Sequence, residues 1–251
     1  MRIRVLGGCE VETAERKVAL RFRQAELIGL LVVRHGRVAR ATAAALLWPD
    51  AEPSVARHNL RQTLLALRSG GAVVVGSEGE SLVLADAQVD LWDLEASLAG
   101  EFAPEPVEEL LPDVQSEWIV PVRAALVRTV VEACRREGEA WLSRDPRRAL
   151  AYADLALAQD PWLESSHALK IRALMATGDL KRAEHDIACF ESELNLGSRS
   201  RLRELIHTEA SDPVLGLPLT KLSPNERVRF FVAFAPAASP GIAAQIEEAV
   251  A

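Results

Sequence analysis

Residues 54–68 set the narrowest limits on what this chain can fold into. Ala56, Leu60, Leu64 and Leu67 recur at steps of three and four, the period of a buried helical stripe. Arg57, Arg61 and Arg68 fall on the other side as one cationic row, with His58 and Gln62 beside it. Directly upstream, Leu46-Leu47-Trp48-Pro49-Asp50 ends a short apolar helix, Thr42 to Leu47, in a Pro-Asp turn. Two helices joined by a tight turn, the second turning a basic and amide-bearing face outward, is the arrangement of a major-groove reader. Water accepts a charged face on any amphipathic helix equally well. The flanking segments decide between the two.

Ile3 to Val11 is rich in β-branched residues and broken by Gly7-Gly8, and Val18 to Leu20 resumes after a charged turn. This predicts a small antiparallel hairpin or meander. A helix over Arg23 to Arg34 follows, with Leu27, Leu30, Leu31 and Val33 inward and Gly36 as its stop. Beyond the basic helix, Ala72 to Val75 and Ser81 to Leu84 frame Gly76-Ser77-Glu78-Gly79-Glu80, a β-hairpin with a polar tip. Strands, three helices and a hairpin directly behind the third helix make a winged helix.

The Leu47-Trp48-Pro49-Asp50 turn, the helix from Ala56 to Arg68, and Val89-Asp90-Leu91-Trp92-Asp93 after the hairpin together resemble the antibiotic-regulatory-protein family of bacterial transcriptional activators. The similarity covers roughly residues 1 to 208. It implies a winged helix of response-regulator type followed by an all-helical bacterial transcriptional activation domain. It also implies binding to short direct repeats near promoters, contact with RNA polymerase, and a homodimer on DNA.

A net charge of −7 at first opposes a nucleic-acid partner. Residues 1–88, however, hold 12 Lys and Arg against 9 Asp and Glu, a balance of +3, while the rest hold 17 against 27, a balance of −10. A mildly basic head on an acidic body puts the positive charge where the basic helix sits. Cys9, Cys134 and Cys189 are odd in number and widely spaced, which fits packing residues in a reducing cytosol. No signal-peptide pattern and no bilayer-length apolar run occur, so a cytoplasmic protein is expected.

Strand signals vanish after Val89. Asp90 to Leu98 reads as a helix, Gly100 to Pro112 as a proline-broken loop, and Trp118 to Leu142 as a long helix. Ala149, Ala153, Ala156 and Pro161 sit at the offsets of a tetratricopeptide second helix, and Ala183 lies one 34-residue period beyond Ala149, behind a Gly178-Asp179 turn. A generic bundle with alanine seams is the plainer alternative. Trp118, Trp141 and Trp162 are expected in the core or its seams. Residues 211–251 hold five prolines and the run Phe230-Phe231-Val232-Ala233-Phe234, with a last helix expected over Ile242 to Val250. They fit a packed extension, a partner-binding segment or the start of a further domain alike.

The expected architecture is an α+β N-terminal winged helix-turn-helix over 1–88, an all-α tetratricopeptide-like domain over 89–210, and a Pro-rich extension over 211–251. No phosphate-binding Gly-rich loop, nucleophile elbow, His-Glu-x-x-His or Cys-x-x-Cys is present, and the five histidines are scattered. No catalytic, cofactor or metal residue is therefore expected. Double-stranded DNA is the expected partner. Arg57, His58, Arg61 and Gln62 would face the major groove, since arginine suits guanine and glutamine suits adenine, with Arg68, Arg40 and Arg23 toward phosphates. Ser77 to Glu80 carries two glutamates and no cation, so insertion of this tip into a minor groove is not expected. The competing expectation is a protein-interaction adaptor whose helical half binds a partner beside a degenerate winged helix.

Overall fold

The computed structural model describes residues 1–14, 16–18, 20–69, 74–193, 202, 203 and 205. The expectations for residues 211–251 lie outside them. Three short strands, β1 (Arg2–Arg4), β2 (Glu10–Glu12) and β3 (Lys17–Val18), form an antiparallel meander with Ile3 opposite Val11 and Val11 opposite Val18. Alternation turns Ile3, Val5 and Val11 inward, where all three are fully buried. Helix α1 (Phe22–Val33) follows, its buried face in the same core, and stops at Gly36, whose φ of +85° lets its N–H reach the Leu31 carbonyl at 2.8 Å.

Strand β4 (Arg37–Ala39) leads into α2 (Arg40–Leu47), the Trp48-Pro49-Asp50 turn and α3 (Pro53–Ser69). The hairpin β5 (Val75–Glu78) and β6 (Ser81–Leu84) joins β4 in a sheet of order β4-β6-β5. The predicted winged helix is thus present, with two differences in the hairpin. Its first strand is described from Val75, residues 70–73 lying outside the described set, and it runs through Gly76, Ser77 and Glu78. The turn is confined to Gly79-Glu80, with Gly79 at φ +56°. Polar residues assigned to a tip by composition are here strand residues, because backbone pairing to β6 outweighs their weak strand preference.

Strand β7 (Gln88–Val89) adds to the first sheet in parallel, Ile3 beside Val89, giving the order β3-β2-β1-β7. Helix α4 (Asp90–Leu98) starts there. This accounts for Val89, Asp90 and Trp92 of the Val89-Asp90-Leu91-Trp92-Asp93 motif. Val89 pairs with β1, and the Asp90 carboxylate accepts the amides of Val5 at 2.9 Å and Leu6 at 3.0 Å. Trp92 Nε1 donates at 3.0 Å to the Val32 carbonyl at the end of α1.

The first core therefore holds residues from both sides of position 88. Ile3, Leu27, Leu31, Leu47, Leu60 and Leu82 pack with Val89, Leu91, Leu110, Leu111, Val114 and Ile119. Leu111 reaches α1 at Gly29, where a Cβ would overlap its side chain. Arg123 holds the approach in place, donating to the carbonyls of Leu110 at 2.8 Å, Leu111, and Val114 at 2.9 Å.

Four helices follow: α5 (Ile119–Trp141), α6 (Pro146–Gln159), α7 (Glu164–Ala176) and α8 (Leu180–Glu193). Asp145 caps α6 by accepting the amides of Arg147 and Arg148 at 3.1 and 3.2 Å, with Pro146 as the first helical residue. Ala149, Ala153, Ala156 and Ala183 are fully buried, as small residues must be where helices approach closely. Two expectations need correction. Trp162 is 54% exposed, because it lies in the short turn between α6 and α7 and not on a helix face. Cys189 is exposed on α8, whereas Cys9 and Cys134 are screened from water and burial pushes both thiols up to about 12.

Asp90→Ala would strand the Val5 and Leu6 amides. Because bonds to a charged acceptor are the stronger kind, the expected loss is about 3 kcal/mol, read from the urea midpoint. A midpoint close to wild type would contradict this role.

Candidate nucleic-acid interface

Helix α3 is the most one-sided surface of the first core. Its Ala56, Leu60, Leu64 and Leu67 are buried as the periodicity predicts, and their pull fixes the helix's rotation about its own axis. The opposite side must then face water. Arg57, His58, Arg61, Gln62 and Arg68 are all exposed, and α3 contains no Asp or Glu. Among the described residues, no ion pair or side-chain hydrogen bond engages Arg57, Arg61 or Arg68. An uncompensated row of guanidiniums on one rigid element is a surface suited to an anionic partner.

The remaining two arginines of the expected site sit elsewhere and are engaged. Arg40 opens α2, where Nη2 donates to Ser77 Oγ at 2.5 Å and its backbone amide donates to the Glu80 carbonyl at 2.9 Å. It ties the hairpin to the helix pair. Arg23, in the first turn of α1, donates to Glu26 at 2.5 Å and lies over the rings of Phe22 and Trp48 at 5.3 and 5.6 Å. Its side chain is 42% exposed, so part of the guanidinium still meets water. Glu26 is fully buried and also accepts from Ser116 Oγ and from Trp118 Nε1 at 3.3 Å.

The acidic hairpin is partly answered within the fold, since Glu78 pairs with Arg37 of β4 at 3.0 Å. Two surface residues escaped the sequence reading. Val55 and Leu65, about half exposed, stand on the outward side of α3 among the polar groups. Leu65 was hidden by its neighbour, since in a Leu64-Leu65 pair only the helix phase says which one is buried.

Other features of the described residues are less directed. A cleft of about 560 Å³ lies between α4 and the 101–108 loop, with Glu101, Glu105 and Glu108 exposed along it. Asp90, which also lines it, is already spent on backbone amides. Among the described residues, no His, Cys, Asp and Glu cluster is arranged to hold a metal ion, and no helix is long and apolar enough to cross a membrane.

The placements separate structural from free cations. Arg23→Ala would leave Glu26 buried without its cation. With two other donors remaining and Arg23 itself partly solvated, the expected cost is about 2 kcal/mol. Arg57→Ala, Arg61→Ala and Arg68→Ala should each stay within about 0.5 kcal/mol of wild type. Urea titrations that ranked the four alike would contradict the distinction.

A scan against family models finds no match, and a search of curated proteins finds no match either. Solved structures do match. Mycobacterium tuberculosis EmbR in complex with a low affinity phosphopeptide superposes with a TM-score of 0.60 at 20% identity, over 81% of this chain and 63% of that one. The chain thus spans 63% of the length of the structure it matches. What the superposition establishes is the fold: a mixed α/β region with small sheets followed by an all-helical segment, the EmbR architecture.

Proposed function

We propose that this chain is a sequence-specific DNA-binding transcriptional regulator of the antibiotic-regulatory-protein type, an activator and not an enzyme. The observation that carries the reading is the carboxylate-free α3, with Arg57, Arg61 and Arg68 exposed and unpaired among the described residues. The EmbR-like fold supports it, because it supplies the winged helix in which such a helix is a groove reader.

In this reading Arg57, His58, Arg61 and Gln62 meet base edges, arginine at guanine O6 and N7 and glutamine at adenine N6 and N7. Arg68, Arg40 and the solvated part of Arg23 meet phosphates and set the register. Partners beyond DNA follow from the family resemblance: RNA polymerase, and a second copy of the chain on direct repeats. The resemblance to a bacterial family puts that work in the cytoplasm. The acidic cleft beside α4 and the exposed Trp162 favour a second reading, an adaptor in which the helical half binds a protein.

The combined Arg57→Ala and Arg61→Ala variant separates the two. It should keep the wild-type fold and lose about 1–3 kcal/mol for each bidentate contact on a duplex site selected from random DNA by the full chain. Filter binding or fluorescence anisotropy reads the loss. Unchanged affinity for that site would remove α3 as the reader and leave the adaptor.

A further inference from the structure

Among the described residues of 1–88, the exposed large apolar side chains are Met1, Phe22, Val55 and Leu65. Phe22 is covered on one side by the Arg23 guanidinium, and Met1 is the first residue. Val55 and Leu65 are 50% and 56% exposed, and both stand on α3. At 100° per residue, each lies within about 45° of the outward mid-line, opposite the Ala56-Leu60-Leu64-Leu67 stripe. His58 and Gln62 stand between them along that line, and the arginine row runs along one flank.

Two aliphatic side chains at the ends of a polar strip flanked by cations suit a partner surface with the matching pattern. That surface must be anionic overall, must offer hydrogen-bonding groups in the middle, and must carry small apolar spots at the two ends. The major groove of DNA has one apolar group on its floor, the 5-methyl of thymine. An RNA duplex has a major groove too deep and narrow for side chains to read.

We propose that Val55 and Leu65 are specificity-determining residues, each seated on the 5-methyl group of a thymine. This rests on the DNA-reading assignment made above. Ten residues of helix at about 1.5 Å per residue separate the two side chains by roughly 15 Å. With base pairs about 3.4 Å apart, the two methyl groups lie about four base pairs from each other. The recognised site therefore has A·T pairs at both ends of the stretch that His58 and Gln62 read.

The test uses the full chain and a duplex site it has selected from random DNA. Each thymine of that site is replaced singly by deoxyuridine, which keeps the pairing and removes only the methyl group. Two replacements about four base pairs apart should each weaken binding about fourfold, the worth of one buried carbon. Leu65→Ala should abolish the sensitivity at one position and leave the other, and Val55→Ala the reverse. Both residues are exposed, and matching circular dichroism and urea midpoints would show that neither variant disturbs the fold.

Indifference to deoxyuridine at every position would overturn the proposal while leaving the DNA assignment standing. So would a sensitivity that both alanine variants retain, or a selected site without thymines at that spacing. A chain that selects no site at all would lose the DNA assignment and this proposal together.

Discussion

One carboxylate without access to water, Glu26 of α1, organises the junction on which the arrangement depends. A buried charge must be met by donors, and here they come from Arg23 on its own helix and from Ser116 and Trp118 ahead of α5. Parting α1 from the start of α5 would cost Glu26 the Ser116 and Trp118 donors and leave it only Arg23. The same junction is closed sterically by Leu111 against Gly29 and electrostatically by Arg123 on three carbonyls. Arg23 then carries the contact onward, since its guanidinium lies over Trp48 in the turn that precedes α3. Helix α3, which packs against α2 and α1, is thus tied to this junction through those two helices.

The legible parts of the fold were those with a local cause. The stripe of α3 followed from spacing alone, and α4 begins at Asp90 and ends at Leu98 as the sequence predicts. The buried alanines of α6 and α8 announced themselves through a 34-residue period. What stayed hidden had its cause far along the chain. Asp90 grips amides 84 and 85 residues away, and β7 is two residues long and exists only because β1 offers it an edge. Gly29 in mid-helix looks like a weak helix former until Leu111 is seen in the space it leaves. Trp162 breaks the rule that large aromatics fill seams, because the turn, not the residue type, sets its exposure. Of the candidate site, the helix and its charged row were visible in the sequence. Val55 and Leu65 were not, since exposure of an aliphatic residue depends on helix phase and neighbours together.

Electrostatics reconcile an acidic chain with the anionic ligand proposed for it. The overall charge of −7 is carried by residues beyond 88, where the balance is −10, while α3 has no carboxylate of its own. Glu78 in the hairpin is paired with Arg37 and so adds little repulsion at the face of α3. A head balance of only +3 means that phosphate attraction alone is weak. In the proposed DNA-reading role, affinity would come largely from fit at base edges, which would tie that role to sequence specificity more closely than in a strongly basic protein.

The most direct test of that claim is the salt dependence of affinity, measured with the full chain on a site enriched from random duplex DNA and on an unrelated duplex of equal length. The account predicts a wide gap, at least about a thousandfold, that persists as salt rises while both affinities fall. Equal affinity for the two duplexes, steeply lost with salt, would mean phosphate contact without reading and would contradict it.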